Sequence, residues 1–324
     1  MSKPINVILA VFIVHFCLSV DAFAQVTLTR KATLMGSKFE FALVEKDSTL
    51  ANKRLDEVIN EVQRIENLIS EWQPHTQISE VNRYAGVQPV KVDREVFDLT
   101  VRALYFSRIT DGAFDISIAA LDKIWRFDDS MERLPTQEAI QKSVEKVGFQ
   151  DIILDSNACT IFLAREGMKI GFGSIGKGYA ADRCRSILIK SGVTSGLINA
   201  SGDIATWGNQ LGGDPWLIGL RNPFNQHKMI RLLKLRESAV ATSGSYEKYV
   251  EFEGKRYAHI INPKTGYPST GLVSVTIYGP SAEFANGLST SIMVMGLKAG
   301  IKLLHKYPAY KGIFVTDRGK VVRR

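Results

Sequence analysis

Apolar and polar positions along the chain repeat with two periods. Over residues 26–45, around LMGSKFEFALV, they alternate in twos, which predicts strands. Leu55, Val58, Ile59, Val62, Ile65, Leu68 and Ile69 then recur at three-and-four spacing, the stripe of an amphipathic helix. Residues 70–86, SEWQPHTQISEVNRYAG, are polar and predict a loop. A second helix is expected over 94–109, and DGAFDISIAALDKIWRF reads as a turn entering a buried apolar stretch. Another helix is expected over 135–147, with Pro135 near its first turn. DIILDSNACTIFLA predicts a hairpin turning at Ser156 and Asn157.

The second half is richer in strands. MKIGF predicts a short strand, and Ala180, Cys184, Ile187 and Leu188 place a helix after it. Further strands are expected at SGLINASGDIATWG, WLIGLRNP, AVATSG, KYVEFE, YAHIINP and VSVTIYG. A helix over 284–304 and a final hairpin at GIFVTDRGKVV complete the pattern. There is no fixed-period repeat and no low-complexity linker, so the expectation is one α+β domain with mainly antiparallel strands.

The first residues stand apart. Lys3, an apolar run over 5–20 and the small-x-small triplet AFA at 22–24 form a secretory leader, residues 1–24. The mature domain then spans 25–324 in the periplasm. Cys17 lacks the preceding small residue of a lipoprotein site, and the run is short for a membrane span, though an uncleaved inner-membrane anchor is the alternative. Cys159 and Cys184 are the only later cysteines; two are no disulfide framework, and Cys184 falls on an apolar stripe suited to a buried free thiol. No Cys/His cluster has zinc spacing. The formal charge of +8 survives loss of Lys3 and Asp21 and is spread out, apart from the tail DRGKVVRR. Without a basic stripe interleaved with aromatics, nucleic acid is not the expected partner. An anionic small substrate, an acidic partner or plain solubility fits the charge equally.

The candidate chemistry lies in glycine-rich loops. GFGSIGKGYAAD, residues 171–182, satisfies G-x-G-x-x-G and G-x-x-x-x-G-K at once. Gly178 stands where a P-loop needs Ser or Thr, and no acid follows in ILIKSGVTSGLIN as a dinucleotide fingerprint requires. The loop is therefore either an anion cradle of another kind at a helix start, or a tight turn whose glycines permit close packing. Four more loops mix small polar residues with a strand or helix: NASGDI (199–204), ATSGSYEKY (241–249), HIINPKTGYP (259–268) and ANGLSTSIMVMG (285–296). Together they predict a polar cleft for a large, multi-part ligand.

In this order the loops resemble the ApbE family of flavin transferases, over residues 33–320. MGSKFEF resembles the family's M-G-T opening, and FDISIAALDKIWRF its F-D-P-T-x-x-P-L-x-x-x-W segment. GFGSIGKGYAAD is similar to D-L-G-G-I-A-K-G-Y-A-V-D, NASGDI to N-A-G-G-D, and HIINPKTGYP to H-I-I-D-P-x-T-G-x-P. The resemblance implies a T-fold-like α+β domain with antiparallel sheets and flanking helices. It implies transfer of FMN from FAD, with Mg²⁺ bound, to a Ser or Thr of a target protein, AMP leaving. A membrane-associated redox protein is one such target. An Mg²⁺-dependent FAD pyrophosphatase and a non-catalytic FAD-binding protein are the alternatives.

Carried over position by position, the resemblance implies metal ligands at Ser174 (backbone carbonyl), Asn286, Ser289 (backbone carbonyl) and Thr290. Asn286 and Thr290, four apart, share a helix face. Three positions depart from the pattern: Gly171, Asn262 and Asn286 each replace an Asp. Lys177 contacts a phosphate or pairs with Asp182. His259 binds the diphosphate or takes the proton from the attacking hydroxyl, its ordinary pKa lying near neutrality; otherwise it is a strand histidine bonded to backbone. Trp72 stacks on the isoalloxazine or covers a core edge. Asp203 orients the NASGD turn near the nucleotide or forms a plain Asx-turn. Ser243 and Tyr246 are expected on the same rim, whereas Asp115 and Trp125 read as turn chemistry and packing.

Overall fold

The chain is seen in a computed structural model that describes residues 25–121, 124–127, 130–246 and 248–324. The expected leader, residues 1–24, lies outside them. Strands β1 (Val26–Leu34) and β2 (Ser37–Glu45) form the expected hairpin, in register from Val26 opposite Glu45 to Leu34 opposite Ser37. Helix α1 (Ser48–Ile69) begins where the Asp47 carboxylate accepts from the Leu50 N–H at 2.8 Å. It buries Leu55, Val58, Val62, Ile65 and Ile69 of the predicted stripe.

The polar stretch after α1 is not all loop: α2 (Gln77–Arg83) forms there. Thr76 caps it by accepting from the Ser79 N–H at 3.1 Å, and its apolar face is only Ile78 and Val81. Two apolar residues make too short a period to read. Strand β3 (Val90–Lys91), helix α3 (Arg94–Ile109) and a 3₁₀ turn (Ile116–Leu121) follow. Helix α4 (Gln137–Val144) is shorter than expected, because Thr136 caps its start and the chain turns away after Glu145. Strands β4 (Ile152–Asp155) and β5 (Thr160–Leu163) make the predicted hairpin, to which β3 adds on β5.

After helix α5 (Gly176–Lys190), the single strand expected at 195–208 is a hairpin, β6 (Ser195–Ala200) and β7 (Asp203–Trp207). The chain reverses through Ser201 and Gly202, with Asn199 Oδ1 accepting from the Gly202 N–H at 2.8 Å. Strand β8 (Trp216–Asn222) pairs with β9 (Asn225–Leu235), which the pattern did not suggest. Then come β10 (Ser238–Gly244), β11 (Tyr249–Phe252), β12 (Lys255–Ala258) and β13 (Leu272–Gly279). The helix expected over 284–304 is two, α6 (Ala282–Met295) and α7 (Leu297–Leu304). Gly296, at φ 80°, breaks them, a conformation open to glycine and strained in most other residues. Strands β14 (Lys311–Thr316) and β15 (Val321–Arg323) end the fold.

Eight strands form one sheet in the order β1-β2-β6-β7-β10-β13-β14-β15, every neighbouring pair antiparallel. Helices α1, α5 and α6 pack on one face around Phe39, Phe41, Ala180, Val275, Leu288 and Phe314. The β8–β9 hairpin covers part of the other through Leu220, Leu233 and Leu235 on Ile204, Val240 and Ile313. Alternating inward residues thus give the sheet two apolar sides, each fully buried large side chain stabilising the fold by about 1.5–3 kcal/mol.

The second half of the 171–182 motif docks α5 on α6. A Cβ on Gly178 would stand 2.7 Å from the Ala282 carbonyl oxygen, so only glycine permits this approach. Asp182 accepts from Ser281 Oγ at 2.7 Å and the Glu283 N–H at 2.9 Å, and pairs with Arg185 at 2.9 Å.

Candidate active site

The five polar loops do converge. A cavity of about 470 Å³ opens between the loop entering α5, the start of β7, the end of β10, the His259–Pro263 segment and one face of α6. Ser174, Lys177, Asp203, Ser243, His259, Asn286 and Thr290 all line it, and Trp72 stands at its rim, 74% exposed. Two expected residues do not. Tyr246 lines a separate cavity of about 260 Å³ under the β8–β9 hairpin. Its ring folds over Gly244, where a Cβ would meet it at 2.6 Å. Ser289 sits behind the wall, fully buried, its hydroxyl on Ser243 Oγ at 2.8 Å and the Asn286 carbonyl at 3.1 Å. One position along a helix turns a side chain by about 100°, away from the face that Asn286 and Thr290 share, so the Ser289 hydroxyl is outside the cavity, whereas the role expected of this residue was through its backbone carbonyl.

The residues before α5 do not form the predicted strand. Instead Asn82, on α2, holds Ile170 as a neighbouring strand would. Its Nδ2 donates to the Ile170 carbonyl at 3.0 Å, and its Oδ1 accepts from the Ile170 N–H at 2.7 Å. Gly171 N–H donates to the Ile116 carbonyl at 3.0 Å, and Phe172 O accepts from Gly176 N–H at 2.7 Å. So fastened, the loop presents the N-terminus of α5, which no side chain caps. Lys177 lies in that first turn and makes no ion pair among the described residues. Its expected alternative partner Asp182 is taken by Arg185, Ser281 and Glu283. A helix start and a cation make this end of the cavity suited to anionic oxygens.

His259 has a defined proton. Its Nδ1 lies 3.1 Å from the Lys248 carbonyl, which can only accept, so Nδ1 carries the hydrogen and Nε2 the lone pair. Burial pushes its pKa below the ordinary 6.5, and the charges of Lys248 and Lys177 push the same way. The imidazole is therefore neutral at neutral pH and able to accept a proton.

Beneath it lies a cluster of oxygen atoms. Asn286 Nδ2 donates to the carboxylate of Asp203, and both residues are buried, at 7% and 3% exposure. Asp203 thus faces α6, while the Asx role in the NASGD turn falls to Asn199. Because a carboxylate can only accept, the amide is oriented, and its Oδ1 is left buried without a partner. Thr290 Oγ1, one turn on, lies 3.3 Å from Ser243 Oγ. An orphaned amide oxygen, a hydroxyl and a carboxylate together fit a hard cation, which prefers oxygen ligands. Among the described residues no three His, Cys, Asp or Glu side chains are grouped so as to hold a metal ion by themselves.

Asp115 and Trp125 keep their structural reading. Burial pushes the Asp115 carboxyl pKa up, against hydrogen bonds from Ser117 Oγ at 2.6 Å, Ser117 N–H at 2.8 Å and Phe149 N–H at 2.9 Å. Trp125 Nε1 donates to the Gly266 carbonyl at 2.8 Å, and its ring stacks on Tyr257 at 5.5 Å. Cys159 and Cys184 are free, and Cys184 is buried on α5 as its stripe implied. The wall also holds residues that the motifs do not single out, among them Lys248 and Glu71, whose carboxyl lies against Gly171. The signals for Glu71 are its place beside Trp72 and the missing acid at 171.

Comparison with known proteins bears on the same residues. The model of the ApbE family matches residues 35–314, most of the chain and every residue that lines the cavity, Trp72 at its rim included. The chain belongs to the ApbE family. A relative from Klebsiella pneumoniae (strain 342), named FAD:protein FMN transferase, is 34% identical over 293 residues, covering 90% of this chain and 90% of its own. One of the same name from Treponema pallidum (strain Nichols) is 30% identical, covering 82% of this chain and 78% of its own. The crystal structure of the ApbE protein from Thermotoga maritima superposes with a TM-score of 0.84 at 30% identity, covering 92% of this chain and 96% of its own. The antiparallel ApbE architecture and its helical layer are therefore those expected from the loop motifs.

Proposed function

We propose that this chain transfers FMN from FAD to a Ser or Thr hydroxyl of a target protein and releases AMP. What carries the reading is one cavity that gathers Lys177 and the open helix start, a neutral His259, and the oxygen cluster of Asn286, Thr290 and Asp203. The transferase names of the Klebsiella and Treponema relatives support it. Lys177 and the α5 N-terminus would hold the diphosphate, and the indole of Trp72 would cover the isoalloxazine. His259 Nε2 would take the proton as the acceptor oxygen bonds to the FMN-side phosphorus; the P–O bond to AMP breaks, and AMP leaves with the electron pair. Such a reaction depends chiefly on alignment and charge neutralisation. Mg²⁺ held by Asn286 Oδ1 and Thr290 Oγ1, with the Ser174 carbonyl, would supply part of that neutralisation.

Incubation with FAD, Mg²⁺ and a Ser/Thr acceptor peptide, read by mass spectrometry, is the test. An FMN adduct and free AMP are expected. Free FMN plus AMP would mean a pyrophosphatase, and unchanged FAD a binding protein. Residues 1–24 we take as a cleaved leader to the periplasm, where a membrane-associated redox protein is a fitting acceptor. The secreted chain then begins at Gln25 by N-terminal sequencing, and retention of Met1 would refute cleavage.

A further inference from the structure

Glu71 is a carboxyl in an unusual place. A Cβ added to Gly171 would stand 2.7 Å from Glu71 Oε1, 2.8 Å from its Cδ and 3.2 Å from the Ala119 Cβ. The volume that a side chain at 171 would fill is therefore already filled by a carboxyl, delivered from the segment after α1. Position 171 is also where the family motif has an Asp and this chain has none. Glu71 lines the main cavity and, with Trp72 and Ala119, a second one of about 340 Å³. It makes no ion pair or side-chain hydrogen bond among the described residues. Burial pushes its pKa up, and only its own backbone N–H opposes this. Glu71 is half-buried and faces both cavities, so its carboxyl, with no other side chain bonded to it among the described residues, is placed to accept from a bound molecule.

We infer that Glu71 and Gly171 are an exchanged pair: the Glu71 carboxyl replaces an acidic side chain at 171 and binds a ring N–H of the ligand beside Trp72. This rests on the FAD reading above. A carboxyl repels phosphate, which sends the diphosphate toward Lys177. Next to an exposed indole it suits a flat heteroaromatic ring that offers an N–H donor. The isoalloxazine has one, N3–H, on its dioxopyrimidine edge. Adenine offers its exocyclic amine instead, and the two are separable because FMN lacks adenine and AMP lacks flavin.

The test is calorimetric titration of FAD, FMN and AMP into wild type, Glu71→Ala, Gly171→Asp and the double variant. Glu71→Ala should weaken FAD and FMN on the order of ten- to a hundredfold, the scale of a charged hydrogen bond, and leave AMP unchanged. Gly171→Asp alone should weaken flavin binding, since two carboxyls then compete for one volume. The double variant should recover most of the FMN affinity, because the carboxyl returns from the other side. Glu71→Ala should melt no lower than wild type, which separates lost contact from lost fold. Unchanged FMN affinity in Glu71→Ala, a double variant no better than Glu71→Ala, or a loss confined to AMP each overturns the inference. A wild type that binds neither FMN nor FAD overturns the FAD reading, and this inference with it.

Discussion

Asn286→Asp tests the oxygen cluster most directly. The amide now donates to Asp203, with both side chains buried. Substitution turns that donor into a second acceptor and sets two carboxylates at hydrogen-bond distance. At a spacing of about 3 Å and an effective dielectric near 20, their repulsion is about 5 kcal/mol. Holding one proton on an ordinary carboxyl costs about 4 kcal/mol at pH 7 but about 1.4 kcal/mol at pH 5. The pair therefore keeps one proton, so its folded pKa lies above the unfolded value. The penalty is small near pH 5 and grows as pH rises. In EDTA the variant should melt below wild type by about 2 °C per kcal/mol lost, with the wider gap at pH 8. Millimolar Mg²⁺ should close the gap, since a cation between two carboxylates restores the missing attraction. The Mg²⁺ needed for half-maximal FMN transfer should fall for the same reason. Differential scanning fluorimetry at both pH values, with EDTA or MgCl₂, reads this out. A melting deficit independent of pH and Mg²⁺ would refute the reasoning and remove residue 286 from the ion's reach.

His259→Ala should lower kcat on the order of 10²–10⁴-fold while FAD affinity changes little; a near-normal rate would exclude it as the base. In wild type the base form persists below the ordinary histidine value, so the acid limb of the kcat profile should have its midpoint below pH 6.5. Trp72→Ala should weaken FAD binding by about 0.5–1.5 kcal/mol, without lowering the melting temperature because the ring is mostly exposed. Gly178→Ala drives a methyl group onto the Ala282 carbonyl and should cost about 1–3 kcal/mol in denaturant unfolding. An unchanged unfolding midpoint would mean that α5 and α6 can move apart freely.

Long stripes were legible and short or broken ones were not. Helix α1 shows itself because Leu55 to Ile69 repeat over several turns, whereas α2 depends on Ile78, Val81 and a Thr76 cap. The break at Gly296 and the reversal at Ser201 depend on single backbone angles, which a periodicity count averages away. The cavity residues were legible through loop chemistry, since Ser174, Lys177, His259, Asn286 and Thr290 come from motifs whose order carries the information. Tyr246 lines a separate cavity because membership of a motif does not say which way a side chain turns. Glu71 and Asn82 were hidden for another reason. Their partners, Gly171 and Ile170, lie far along the chain, and no local spacing encodes such a meeting.

The clasp between Asn82 and Ile170 bears on how the pocket breathes. Two hydrogen bonds from one amide join the segment leading into the cavity loop to a seven-residue helix, in place of a ladder shared among many residues. Loop and helix should therefore open as one small cooperative unit, at a free energy below that of global unfolding. The Ile170 amide hydrogen, which belongs to no strand, should exchange with deuterium at the pace of the α2 amides. Occupation of the cavity by a ligand touching Gly173 and Ser174 should then slow exchange in α2 as well, on the far side of the clasp.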